Sequence, residues 1–171
     1  MLEPVTVNET ERAELAQRRD RIRDELMPAK QHRPASSARG IHHTALISSD
    51  VRRTVEFYQG LLGFPLIDMF ENRDLPGSTH FFFDVGNGNT IAFFDLPGVE
   101  VGPYAEVLGG LHHLAISMEP PRWQEIRTKM DAQGVDYQLE SGTSIYFRDP
   151  DGARVELIAD PLGEMYGHSV F

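Results

Sequence analysis

The chain has no cysteine, a single tryptophan, and far fewer basic than acidic side chains, 16 against 26. Without thiols there can be no disulfides, no thiolate metal ligands and no cysteine nucleophile, so any bound metal must be held by nitrogen and oxygen. The same absence fits a reducing compartment, and a cytoplasmic location is expected. A net charge of −10 repels a phosphate backbone, and no clustered Lys/Arg stripe overrides it, which sets nucleic acid aside as a partner. Also missing is any run near the roughly 18 apolar residues of a membrane span. Met1-Leu2-Glu3-Pro4 lacks a basic stretch followed by an apolar one, so no membrane partner or leader is expected. A small-molecule substrate remains, with 171 residues and 40% hydrophobic content sufficient for one core.

What the sequence does contain is a duplication. Gly40-Ile41-His42-His43-Thr44-Ala45-Leu46 returns as Gly110-Leu111-His112-His113-Leu114-Ala115-Ile116, short and apolar behind a glycine, as a strand should be. After the first copy, Asp50 caps a helix over 51–62 closed by Gly63. Strands follow over 64–70, 79–85 and 89–95, the last two joined by the hairpin signal Gly86-Asn87-Gly88. After the second copy come a helix from Pro120-Pro121 to Gly134 and strands over 135–139, 144–148 and 154–159. Each half is a βαβββ unit, so the fold class is α+β. Module 1 spans about 40–98 and module 2 about 110–160, within one domain over 40–171 that ends in a tail, 161–171. A helix over 8–27 with a narrow apolar stripe (Leu15, Ile22, Leu26) and a linker make an extension over 1–39.

Alternation assigns the faces. His42 and His112 share parity with the larger Leu46, Leu114 and Ile116, so they are expected under the helices in structural roles. His43 and His113 then share the opposite face with Ala45 and Ala115, which leave room beside a ligand. Glu156 interrupts the apolar run Val155-Glu156-Leu157-Ile158, where a carboxylate is costly unless paired or bound to a cation. Two imidazoles and a carboxylate on one face of an octahedral ion leave three positions open. Superimposing the halves matches Phe83 with Phe147, and so Ala92 with Glu156: the symmetry breaks at the carboxylate. Tyr146 has the parity of Glu156 on the neighbouring strand and could donate a hydrogen bond to a bound oxygen. His80 shares parity with Phe82, the counterpart of Tyr146, and is a candidate for moving a proton.

The segments around His42-His43, Val55-Glu56-Phe57-Tyr58-Gln59-Gly60-Leu61-Leu62-Gly63 and Phe147-Arg148-Asp149-Pro150-Asp151-Gly152 resemble the vicinal oxygen chelate superfamily, over about residues 40–160. The family includes glyoxalase I, extradiol dioxygenases, fosfomycin resistance proteins and bleomycin-binding proteins. The resemblance implies paired modules forming an open, metal-centred eight-stranded barrel, with metal ligands at His43, His113 and Glu156. Glyoxalase I usually supplies a further carboxylate where this chain has Ala92. That difference points to an extradiol-type dioxygenase, in which two histidines and a glutamate hold Fe(II) or Mn(II) and a tyrosine falls at Tyr146. Against it, the position of the extradiol acid–base histidine falls on Asn89. The rival expectations are a glyoxalase-like lyase, isomerase or epimerase using Zn, Ni or Co, and a resistance-type binding protein. A homodimer is allowed but not required.

Overall fold

The computed structural model describes residues 6–171. Residues 40–170 form one compact unit; the chain up to Arg39, grouped with Phe171, forms another. In the latter, helix α1 (Glu9–Leu26) opens on a capping box. The Asn8 side chain accepts from Glu11 N, and the Glu11 carboxylate accepts from Asn8 N, both at 3.0 Å. No residue of α1 is buried, and Leu15, Ile22 and Leu26 are exposed.

The larger unit repeats strand, helix and three strands, as the duplication predicts. Module 1 comprises β1 (His43–Ile47), α2 (Val51–Val55) continuing into a π-helical turn (Glu56–Leu61), β2 (Leu66–Glu71), β3 (Thr79–Asp84) and β4 (Thr90–Phe94). Module 2 comprises β5 (Leu114–Ser117), α3 (Pro120–Gln133), β6 (Tyr137–Glu140), β7 (Ser144–Arg148) and β8 (Arg154–Ile158). Each sheet has the same order, β1-β4-β3-β2 and β5-β8-β7-β6, with the first strand parallel to the last and the others antiparallel. Among the described residues the two sheets share no backbone ladder and meet through side chains.

Local chemistry sets the boundaries. Asn87 takes a positive φ (53°) between Gly86 and Gly88, which the β3–β4 turn requires. Gly134 caps α3 at φ 66°. The strand expected directly behind Gly110 begins only at Leu114. The Tyr104 hydroxyl donates to the Leu111 and His112 carbonyls at 2.8 Å each, so those acceptors are turned towards the connecting segment. The tail folds into a hairpin of β9 (Glu164–Met165) and β10 (His168–Ser169). No helix among the described residues is long and apolar enough to cross a membrane.

One core serves both modules. Tyr58, Leu61, Leu62, Phe81, Phe83 and Phe93 from the first pack in the same cluster as Trp123, Ile126, Met130, Ile145, Val155 and Leu157 from the second. The modules are pinned at Asp149, 6% exposed, which accepts from the Tyr58 hydroxyl at 3.0 Å and from the backbone N–H groups of Asp151 and Ala153. Asp151 in turn accepts from Ser49 and Arg53 across the same junction. Because each sheet gives one face to this core, its other face turns away from it.

Candidate metal centre

In β1, Thr44 and Leu46 are partly buried on the core side, while His43, Ala45 and Ile47 are exposed on the outward face. In β5, Ile116 is buried and Ala115 exposed. The register then places equivalent rows across the two outward faces. Ala115 lies opposite Glu156, which lies opposite Tyr146; Ala45 lies opposite Ala92, which lies opposite Phe82. The ring contacts repeat too: His113 meets Tyr146 edge to face at 5.5 Å, and His43 meets Phe82 at 6.3 Å.

The structure brings together His113, Glu156 and Tyr146. His113 Nε2 stands 3.1 Å from Glu156 Oε2, and the Glu156 residue is 5% exposed. Burial and a hydrogen bond to the Glu156 carboxylate push the Tyr146 hydroxyl up to about 12. Ligands held at about 2.1 Å and at right angles around an ion put their donor atoms about 3.0 Å apart, so the His113–Glu156 spacing fits two neighbouring positions on one metal. A buried carboxylate facing an imidazole also gains most when a cation sits between them.

His43 is not gathered with this pair. Among the described residues no three His, Cys, Asp or Glu side chains form a group that could hold a metal. His80 lies on the outward face of module 1, stacked on Phe94 at 3.8 Å and near Phe82 and Phe70. Its Nε2 is buried without a hydrogen-bond partner, and burial, then the proximity of His43, lowers its pKa.

His42 and His112 correct the sequence expectation. Both are exposed rather than packed under a helix, because they precede their strands, where no helix covers them. Each turns its ring onto its neighbour instead: His42 Nδ1 to His43 Nδ1 at 2.9 Å, and His112 Nδ1 to His113 Nδ1 at 2.7 Å. Sequence reasoning also passed over Arg154, although it has the parity of Glu156. Its guanidinium lies 4.8 Å from the centre of the Tyr146 ring, 3.3 Å from His112 Nε2 and 3.8 Å from Glu106.

Residues 40–157 match the family model described as the glyoxalase/bleomycin resistance protein/dioxygenase superfamily. The chain belongs to that superfamily. Among its members, a Bacillus subtilis protein named as a ring-cleaving dioxygenase, MhqA, is 26% identical over 136 residues, covering 75% of this chain and 42% of its own length. The chain thus spans less than half of that relative. The metallothiol transferase FosB of Shouchella clausii is 28% identical over 136 residues, covering 75% of this chain and 86% of its own length. Among solved superfamily structures, a mutant fosfomycin resistance protein FosX from Listeria monocytogenes, complexed with Mn(II) and 1S,2S-dihydroxypropylphosphonic acid, has a TM-score of 0.54 and 25% identity. It covers 73% of this chain and 95% of its own.

Proposed function

We propose that the chain is a divalent-metal-dependent enzyme acting on a small substrate chelated through two neighbouring oxygens, and that its reaction is extradiol-type oxygenation of a catechol-like or enediol substrate. The observation that carries this reading is the His113–Glu156 pair under the Tyr146 hydroxyl, with Ala92 where a second carboxylate would stand. His113 and Glu156 would hold the ion, Fe(II) first and Mn(II) next. His43 of a second copy would complete the set, since both ligand-bearing faces turn away from the shared core. When bound, the ion would supply a Lewis-acidic, redox-active centre for a chelated diol.

The remaining roles belong to the chain. Tyr146, protonated throughout the neutral range, donates its O–H towards the oxygen that gains charge. His80, its pKa lowered first by burial, is a base on the wall formed by Phe70, Phe82 and Phe94. Anaerobic Fe(II) loading followed by O₂-uptake assays with a catechol panel tests this. Uptake is expected, and Tyr146→Phe should lower kcat roughly 10- to 100-fold with a smaller change in KM. A fully iron-loaded protein that consumes no O₂ with any catechol would remove the oxygenase assignment.

One observation favours a second reading. The FosX structure that resembles this chain holds Mn(II) with 1S,2S-dihydroxypropylphosphonic acid. That likeness supports Lewis-acid chemistry on a small oxyanion, with Mn, Zn, Ni or Co and no oxidant. Turnover under strict anaerobiosis would select it.

A further inference from the structure

We propose that the C-terminal hairpin roofs the module 2 side of the candidate metal centre and that Tyr166, at its tip, is a specificity-determining residue that takes the ring of an aromatic substrate. The inference rests on the reading that His113 and Glu156 hold a metal that chelates the substrate. It adds to that site a residue beyond the family match, which ends at 157. The register shows how the tail gets there. Ala115, Glu156 and Tyr146 form one row of the outward face, and the next row is Ser117, Ile158 and Ser144. The Ser117 hydroxyl donates to the Asp160 carbonyl at 2.6 Å, which turns the chain leaving β8 onto that face. In module 1 the matching row is Ile47, Phe94 and His80, where two stacked rings fill the space. Module 2 has small residues there, and the tail beside them. The Tyr166 hydroxyl comes within electrostatic reach of the Tyr146 hydroxyl, so the hairpin tip stands by the centre.

The tip is built against local preference. Met165 pairs with His168, which leaves Tyr166 and Gly167 as a two-residue turn with both φ values positive, 51° and 77°. Such a turn favours asparagine followed by glycine, because a larger side chain at positive φ crowds its own backbone. Here a tyrosine takes the first place, and it is 97% exposed. Among the described residues its ring meets no other ring and its hydroxyl has no hydrogen-bond partner. The fold therefore gains nothing from the ring, and an aromatic group held out on a strained backbone is suited to a ligand contact. A planar ring chelated beside Tyr146 gives Tyr166 a surface to stack on. An aliphatic chelate gives it none.

Benzohydroxamate and acetohydroxamate test this, because both close the same two-oxygen chelate and differ only in the ring. Calorimetric titration of the full-length, Zn(II)-loaded protein should show benzohydroxamate binding about tenfold more tightly than acetohydroxamate. Tyr166→Asn suits the positive φ and so keeps the fold. It should cut that ratio about tenfold and leave acetohydroxamate affinity unchanged, whereas Tyr166→Phe should preserve the ratio. A ratio unchanged in Tyr166→Asn overturns the inference and leaves the metal reading standing. So does a Tyr166→Asn protein that is monomeric where the wild type is dimeric, since the ring would then belong to a contact between copies. A wild type that binds neither Zn(II) nor acetohydroxamate removes the metal reading, and this inference with it.

Discussion

Refolding a one-to-one mixture of His43→Ala and His113→Ala chains should restore about a quarter of the wild-type metal sites, although each variant alone loses affinity roughly a hundredfold or more. The quarter follows from symmetry. Half of the dimers in such a mixture are hybrids, and in each hybrid one site receives His43 from one chain and His113 with Glu156 from the other. The second site of the hybrid lacks both histidines. If one chain held the whole set, mixing would restore nothing, because every chain carries a lesion. The measurement is Zn(II) or Fe(II) bound per chain after refolding, compared with the separate variants. No recovery above either parent would remove the two-copy centre.

The other large effect is expected at the junction of the modules. Asp149→Ala should destabilise the fold by roughly 3–5 kcal/mol, measured by urea unfolding, because it strands the buried Tyr58 hydroxyl and two backbone N–H groups at once. Asp149→Asn, which keeps an acceptor, should cost less. It should also change the pH dependence in a defined sense. Burial is the leading cause that raises the Asp149 carboxyl above its ordinary value, against hydrogen bonds from Ala153, Tyr58 and Asp151 that lower it. A carboxyl raised in the folded state binds its proton more tightly there than in the unfolded chain. Its contribution is therefore complete below the ordinary aspartate range and is lost as pH rises through the raised value. Relative to Asp149→Asn, the wild type should lose stability across that window and run parallel to it above. A wild type that gained stability there would reverse the assignment.

The elements and their faces were legible in the sequence because strand alternation and the duplicated Gly-x-His-His segment are local signals. The two halves and Ala92 as the counterpart of Glu156 could be found by spacing alone, and the ladders place those residues in equivalent rows. What could not be read was which outward face meets which, since that depends on how two sheets share one core. Parity also misled at His42 and His112, where alternation was extended beyond the first ladder residue into chain that no helix covers. Arg154 was missed for a related reason. An arginine at a strand's start looks like an exposed end, and only the fold brings it beside His112 and Tyr146.

The single core has a consequence for how the molecule could be divided. Phe57 packs on Phe147 and Tyr58 reaches Asp149, so a fragment ending after β4 would leave the Phe57 ring and the Tyr58 phenol facing water. Neither repeat is a free-standing fold, and the two halves should melt in one cooperative transition rather than in sequence. The ancestor of one repeat would have needed a twin beside it from the start.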